Sequence, residues 1–505
     1  MLRRNHHPAA HRVIAINIPK ERDTVPDYFN TFSEISTALG ANCKKSYHDY
    51  DHQKRCVDRF FELIQSGERM NMFLHDYKGG YLAEDCGSSV SYDPSKDTHP
   101  FIFHLMPHSD VFVYFSHKTI SVPPLRWIEE SHNHGKVVLG TVLFENNTGE
   151  HTTLLANDTS LNERLDHYGQ ILADLMEAKC FDGYLINVEV KLTLPEINNL
   201  LKFIDILKSK IRLTCQFEPI IVWYDAVTVK GDLVWQDAVT EKNNIFFEKC
   251  GFILLNYCWK AKELQKTDQI VPTDAKNRVF VGIDVFGRNT IYAAGNKGCA
   301  DALAMIQEHD FSAGIFAPAY QRECLLHPQD SGITSGYEYW EPVFPYLHYR
   351  PFIFAGTFSI GRYFKKCLSE VGSPKQLEYI RNHVFPVCPP TQDGFKCYEN
   401  GLRFSKAGQY LLQTVEFTET SKCYLILKWF KGELEFQNTS GYFRFTKGKE
   451  VHTLQFPAGI TKIFFHADSE DFFGGFEITR CDILDSQGIV PRTDDRKIQI
   501  ARLLP

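Results

Sequence analysis

The sequence predicts an α/β fold, a (β/α)8 TIM barrel followed by a C-terminal β-sandwich region. Three observations carry this. Eight short apolar, β-rich runs alternate with helical patterns between Met72 and Tyr320 of the 505-residue chain, which is the arithmetic of a (β/α)8 barrel. The runs end in polar residues that a core rejects. After Pro351 the pattern changes to short alternating stretches parted by turn residues, as in antiparallel sheets.

Taken in order, the strand candidates are Met72–His75, Val111–Phe115, Val137–Phe144 and Gly183–Val190, then Ile220–Asp225, Phe252–Trp259, Val279–Phe286 and Gly314–Tyr320. Helical stretches fall at Leu161–Ala178, Leu194–Lys210, Trp235–Glu248 and Cys299–His309. The first unit is irregular, with loops and no long helix between Asp76 and Asp110, while Asp27–Gly40 carries a helical pattern. In the tail, Tyr410–Phe417, Cys423–Phe430, Glu433–Asn438, Tyr442–Phe445, Val451–Phe456, Ile460–His466 and Gly475–Leu484 alternate. The expected organisation is an N-terminal extension over 1–60, partly mobile, a catalytic barrel over 61–350, a connecting segment over 351–394 and a sandwich over 395–505.

The composition is that of a globular protein, 43% hydrophobic and 23% charged. The net charge of -7 is spread along the chain, which argues against nucleic acid, whose phosphates need a basic face. No window reaches the length of a membrane helix, and Met1–Asn17 shows no long apolar core of a secretory leader. The 14 cysteines are scattered without a Cys-x-x-Cys, so reduced thiols in the cytosol are expected rather than a disulfide scaffold or zinc ribbon. The sequons at Asn146, Asn157 and Asn438 carry little weight without a leader. His132 and His134 lack a third ligand nearby and read as surface or capping residues; His6 and His7 belong to the terminus.

The polar strand ends hold the chemistry: His75 and Asp76, Ser116 and His117, Glu145, Asn187 and Glu189, Tyr224 and Asp225, Asn256 and Trp259, Asp284 and Tyr320. In a barrel these converge on one face, where active sites lie. The sharpest run is Phe181-Asp182-Gly183-Tyr184-Leu185-Ile186-Asn187-Val188-Glu189-Val190. Alternation on a strand puts Asn187 and Glu189 on one side. An ordinary retaining glycosidase uses two carboxylates. When the sugar bears a 2-acetamido group, its carbonyl oxygen can attack the anomeric carbon, and the enzyme needs one acid/base and one polar group to orient the acetamido. Glu189 and Asn187 suit those roles. An isolated Asn-x-Glu recurs by chance, but Tyr224 ends the next strand, and Trp235 and Trp259 follow at the same face, where indoles can stack on sugar rings, core packing being the leading alternative for either one alone.

At these residues the chain resembles glycoside hydrolase family 85, the endo-β-N-acetylglucosaminidases. The resemblance runs from about His75 beyond Phe352. It rests on His75-Asp76-Tyr77-Lys78-Gly79-Gly80-Tyr81, Phe112 to His117, Pro123-Pro124 with Trp127, Phe181-Asp182-Gly183 with Asn187 and Glu189, Trp223-Tyr224-Asp225 with Trp235-Gln236-Asp237, Asn256-Tyr257-Cys258-Trp259, and Gly282 to Arg288. The resemblance implies that Glu189 is the general acid/base, that Asn187 holds the acetamido group and stabilises an oxazolinium, and that Tyr224 assists. Trp235 and Trp259 are then aromatic substrate contacts, with His75, Phe115, Asn256 and Asp284 as further substrate-binding candidates. It also implies cleavage of the GlcNAc-β1,4-GlcNAc core of N-glycans, glycopeptides and free oligosaccharides, leaving one GlcNAc behind, with transfer to other acceptors and no metal or organic cofactor.

Competing readings are a family 18 chitinase-like hydrolase, against which Asn187 stands where an aspartate is expected, and a glycan-binding protein on an inactive barrel, against which both Asn187 and Glu189 are present. For ordinary retention the second carboxylate would be Asp225, Glu145 or, best, Asp284, for which bracing of the barrel mouth is an equal alternative.

Overall fold

In the computed structural model the residues described are 25–40, 50–82, 103, 105–145, 149–325 and 339–350, together with the strands and short joints of a tail between 352 and 480. Residues 361–394 of the expected connecting segment, the extreme terminus with His6 and His7, and Asn146 lie outside them. Eight parallel strands close into a barrel: β1 (Asn71–His75), β2 (Val111–Tyr114), β3 (Val137–Phe144), β4 (Gly183–Val188), β5 (Ile220–Tyr224), β6 (Gly251–Leu255), β7 (Val279–Asp284) and β8 (Ser312–Phe316). Each pairs with its neighbours in chain order, and β8 closes on β1 through Ala313 opposite Asn71 and Phe316 opposite Leu74. All eight expected strands are present, most ending earlier than the apolar runs suggest. The strands are buried almost throughout, which explains why they read as continuous apolar runs rather than alternating ones.

The outer helices follow their sequence signals. Leu194–Cys215 opens on a capping box in which the Glu196 carboxylate accepts from the Thr193 N–H at 2.7 Å, with a proline in the first turn. It buries Ile197, Leu200, Phe203, Ile204, Leu207 and Ile211 at three- and four-residue spacing. It packs on Leu161–Lys179, where a Cβ on Gly169 would stand 2.9 Å from Ile206 Cγ2; a larger side chain there would push the helices apart.

Residues 50–66, placed by the sequence mostly in an extension, form a helix that runs under the amino ends of the strands. Gln53 Nε2 donates to Asp182 Oδ1 at 3.0 Å just before β4, His52 Nε2 lies 2.7 Å from the His132 carbonyl, and Asn277 Nδ2 donates to the Ile64 carbonyl at 3.0 Å before β7. Cys56, Val57 and Phe60 are buried between these points. The barrel therefore has a helical floor. His132 and His134 are buried rather than at the surface, and His134 takes the other expected position as the C-cap of the helix Leu125–Asn133: His132 Nε2 sits 2.8 Å from Asp182 Oδ2 and His134 Nε2 3.2 Å from Glu130.

The expected helix over Trp235–Glu248 is reduced to Asn244–Cys250. Asp225, just after β5, accepts from the N–H groups of Gln236 and Asp237 at 3.0 and 2.8 Å, holding that stretch over the strand end, and Asp237 turns left-handed at φ 53°. In the tail a five-stranded sheet orders Phe352–Ile353, Gly408–Phe417, Gly459–Ala467, Glu433–Asn438 and Gly441–Phe445. A four-stranded sheet orders Thr357–Ile360, Phe476–Arg480, Ser421–Leu427 and Val451–Phe456. Phe417 of one sheet stacks on Phe456 of the other at 4.7 Å. The segment after Pro351 thus supplies a strand to each sheet instead of only linking them. Among the described residues, no helix is long and apolar enough to cross a membrane, and Cys250 and Cys258 are free thiols.

Candidate active site

The carboxyl ends of the strands surround a cleft of about 260 Å³. Leu185, Asn187 and Glu189 line it from β4 and the residue after it, whereas Ile186 and Val188 are buried on the other side, as a two-residue period requires. The Glu189 N–H still donates to the Phe144 carbonyl at 2.8 Å, so the side chain is aimed from a strand and not from a loop. Upstream, Asp182 anchors the entry to β4 by accepting from the Val138 N–H at 2.7 Å as well as from Gln53.

Asn187 Nδ2 donates to Glu189 Oε1 at 3.0 Å. The other end of the carboxamide, Oδ1, is buried without a hydrogen-bond partner among the described residues. Burial raises the Glu189 carboxyl above its ordinary range; the Asn187 bond offsets part of this, and the charge of Glu145 adds to the rise. Glu145 lines the same cleft, with its Oε1 2.8 Å from His117 Nδ1. A carboxyl raised above its ordinary range, next to an amide with an unpartnered acceptor, is equipped to donate a proton and to receive an N–H.

Tyr224, at the end of β5, lines the cleft and donates to Asn256 Oδ1 at 2.9 Å. Asn256 in turn donates to Asp237 Oδ1 at 2.6 Å, which also accepts from the Cys258 N–H at 3.1 Å. Burial followed by the Glu189 charge pushes the phenol well above its ordinary range, against a smaller opposing effect of Trp235. Tyr224 is thus a neutral hydroxyl fixed from behind. Trp235 is 40% exposed and stands at the rim.

Of the residues expected from sequence, Glu189, Asn187, Tyr224 and Phe115 line the cleft, with Trp235 beside Tyr224 and Asn256 one bond behind it. Three take other positions. Trp259 is fully buried, donates its indole N–H to the Gly282 carbonyl at 2.7 Å and packs on Tyr292; it is a core residue rather than a sugar platform. His75 is buried among Phe112, Tyr114 and Trp127, because it has the opposite parity to Leu74 and Asp76, which face the cleft. Asp284 is buried under Arg288, whose Nε and Nη2 reach its two oxygens at 2.7 and 3.1 Å, and it also accepts from the N–H groups of Phe286 and Arg288. It braces the mouth, with both of its oxygens occupied.

Asp76, Tyr257 and Arg288 are all on the cleft wall; the sequence marks Asp76 as a polar strand end, but none of the three is among its substrate-binding candidates. Each lies beside one of those candidates, and strict alternation from Leu74 would have added Asp76. The described group with metal-ligand geometry, Glu433, Glu435 and His466, is in the tail. Arg444 already spans both glutamates at 3.1 and 2.7 Å, supplying the positive charge there.

The sequence model for glycosyl hydrolase family 85 matches residues 83–343, just over half of the chain. Cytosolic endo-beta-N-acetylglucosaminidase 1 of Arabidopsis thaliana is 38% identical over 263 residues, 51% of this chain and 36% of that protein. The cytosolic endo-beta-N-acetylglucosaminidase of Homo sapiens is 32% identical over 268 residues, 52% of this chain and 34% of that protein. The chain spans about a third of the length of these relatives. The glycoside hydrolase domain of Endo-D from Streptococcus pneumoniae R6 superposes with a TM-score of 0.57 at 15% identity, covering 89% of this chain and 82% of that one, a likeness of fold.

Proposed function

Because the chain belongs to glycosyl hydrolase family 85, and so is a glycoside hydrolase, we propose that it is an endo-β-N-acetylglucosaminidase acting on the GlcNAc-β1,4-GlcNAc core of N-linked glycans. The observation that carries the reading is the pairing of a raised carboxyl, Glu189, with a neighbouring amide whose acceptor oxygen is buried and unpartnered. In this reading Asn187 Oδ1 accepts the N–H of the substrate's 2-acetamido group and turns its carbonyl oxygen toward the anomeric carbon. That oxygen attacks, the C1–O bond breaks, and the leaving oxygen takes the proton of Glu189. The oxazolinium so formed is opened by water, which returns its proton to Glu189, and two displacements at C1 leave its configuration retained. Tyr224, neutral, turns its O–H from Asn256 Oδ1 toward the developing intermediate. A sugar hydroxyl in place of water gives transglycosylation.

N-glycans, glycopeptides and free oligosaccharides are the proposed substrates, and the cytosol the proposed compartment, in keeping with the names of the relatives. A two-carboxylate mechanism with Glu145 as nucleophile is the alternative, since Glu145 lines the same cleft. Its pairing with His117 and the open acceptor of Asn187 favour the acetamido route. The test is mass spectrometry of a high-mannose glycopeptide incubated with wild type and with Glu189→Gln. Peptide bearing a single GlcNAc from the wild type alone supports the reading. Intact glycopeptide in both reactions, with glycan bound, makes the barrel a lectin and ends it.

A further inference from the structure

The turn after β1 has no part in the chemistry above, yet it is built at a cost. Four consecutive residues take positive φ: Lys78 at 48°, Gly79 at 80°, Gly80 at 83° and Tyr81 at 58°. For Lys78 and Tyr81 this is strained backbone of the kind that persists where surrounding structure imposes it. Here the surroundings are β2 and the loop after it. The Tyr81 N–H donates to the Tyr114 hydroxyl at 2.7 Å, and the Tyr81 hydroxyl donates to the Val122 carbonyl at 3.0 Å and the Asp27 carbonyl at 2.7 Å. Gly80 lies so close to β2 that a Cβ would stand 2.9 Å from Ser116 Cβ.

The turn brings the Gly79 N–H back onto the carboxylate of Asp76. Asp76 lines the cleft, and its Oδ1 is buried with no hydrogen-bond partner among the described residues. Burial lifts its carboxyl above the ordinary range, against the pull of His117 and the Gly79 bond. An unpaired buried carboxylate oxygen is costly. The cost is recovered when a bound molecule supplies the missing O–H or N–H.

We infer that Asp76 is a specificity-determining residue that accepts a hydrogen bond from a hydroxyl of the sugar ring on the glycan side of the one being cleaved. The inference rests on the function proposed above. Asn187 fixes the acetamido ring against β4, and Asp76 directly follows β1, three strands away. Eight strands at ~4.8 Å spacing and a tilt of ~36° close a barrel roughly 15 Å across between backbones, more than one pyranose spans. The leaving ring, which carries the polypeptide, needs the open rim, and that rim is at β5, where Trp235 is exposed. The enclosed oxygen of Asp76 is left for the neighbour on the other side. Neutral hydroxyls suit it, because a second carboxylate on the ligand would be repelled.

The test uses preformed oxazolines of one ring (GlcNAc) and two rings (hexosyl-β1,4-GlcNAc), hydrolysed by the wild type, Asp76→Ala and Asp76→Asn. Asp76→Ala should lose roughly 10- to 150-fold in kcat/KM on the two-ring donor, the range for a hydrogen bond to a charged group, and stay within about threefold on the one-ring donor. Asp76→Asn, which keeps an acceptor oxygen, should recover most of the loss. Equal losses on both donors, as a misfolded or merely structural variant would give, overturn the inference, as does no loss on either. If the wild type turns over neither oxazoline, the proposed function itself fails, and this inference with it.

Discussion

Asn187 binds Glu189 with one end of its carboxamide, at 3.0 Å, and keeps the other end buried and unbonded. One side chain therefore both tunes the acid and waits for the substrate. Its alternation partner Leu185 faces the same cleft, so the positions of both polar groups follow from strand geometry alone.

That double role separates two steps. Asn187→Asp replaces the N–H that Glu189 accepts with a second carboxyl, and replaces a neutral acceptor with a charge. Formation of the oxazolinium should suffer more than its hydrolysis. Turnover of the natural glycopeptide is expected to fall by about 10²- to 10³-fold, the scale for one preorganised polar partner, with a much smaller fall on a preformed oxazoline. Parallel losses on the two substrates would remove Asn187 from the first step.

The pH profile reports the surroundings of Glu189. Burial and the Glu145 charge raise its carboxyl, while His117 lowers it. Activity on glycan needs the protonated form, so it should decline on the alkaline side as Glu189 ionises. Glu145→Gln removes the like charge and should move that limb to lower pH. His117→Ala removes a group that favours the ionised form and should move it to higher pH. Coincident profiles of kcat/KM against pH for all three proteins would mean that the limb belongs to another group.

Much of the barrel was legible because its strands are buried on both faces and stand out as apolar runs. Alternation within a run was legible too, and it fixed Asn187 and Glu189. It was not applied at β1, where His75 was chosen although Asp76 shares the parity of Leu74. The floor helix was hidden for a different reason: Gln53 meets Asp182 across 129 residues of sequence, a contact that no local pattern encodes. The strands at Phe352–Ile353 and Thr357–Ile360 span two and four residues, too few for any period to show. At Trp235 a helical pattern was present, but the Asp225 carboxylate holds the chain elsewhere, a tertiary override of propensity.

The two tryptophans should part company under mutation. Trp259→Phe loses the bond to the Gly282 carbonyl and leaves a void where the indole was fully buried. It should cost about 2–3 kcal/mol of stability and leave KM nearly unchanged. Trp235→Ala removes an exposed ring from the rim; stability should stay within about 0.5 kcal/mol, while KM for glycopeptide rises roughly tenfold. Denaturant unfolding alongside steady-state kinetics checks both, and a raised KM for Trp259→Phe at intact stability would return that residue to the substrate's surroundings.

Asp225 links the site to the stability of the whole barrel. It is buried, and burial pushes its carboxyl up to about 7 despite the bonds from Asn243, Asp237 and Gln236. A carboxyl with a folded pKa above its unfolded value of ~3.9 binds its proton more tightly in the native state. Its contribution is therefore full at pH below about 4 and is lost as pH rises toward 7; the sign is opposite to that of a salt-bridged aspartate. Asp76, Glu189 and Asp237 are raised as well and act in the same direction. Denaturant stability should then fall between pH 4 and 7 by a few kcal/mol. Asp225→Asn cannot titrate, and its slope over that window should flatten even if its absolute stability is lower. An equal slope in wild type and variant would show that Asp225 is ionised throughout, held so by the three donors around it.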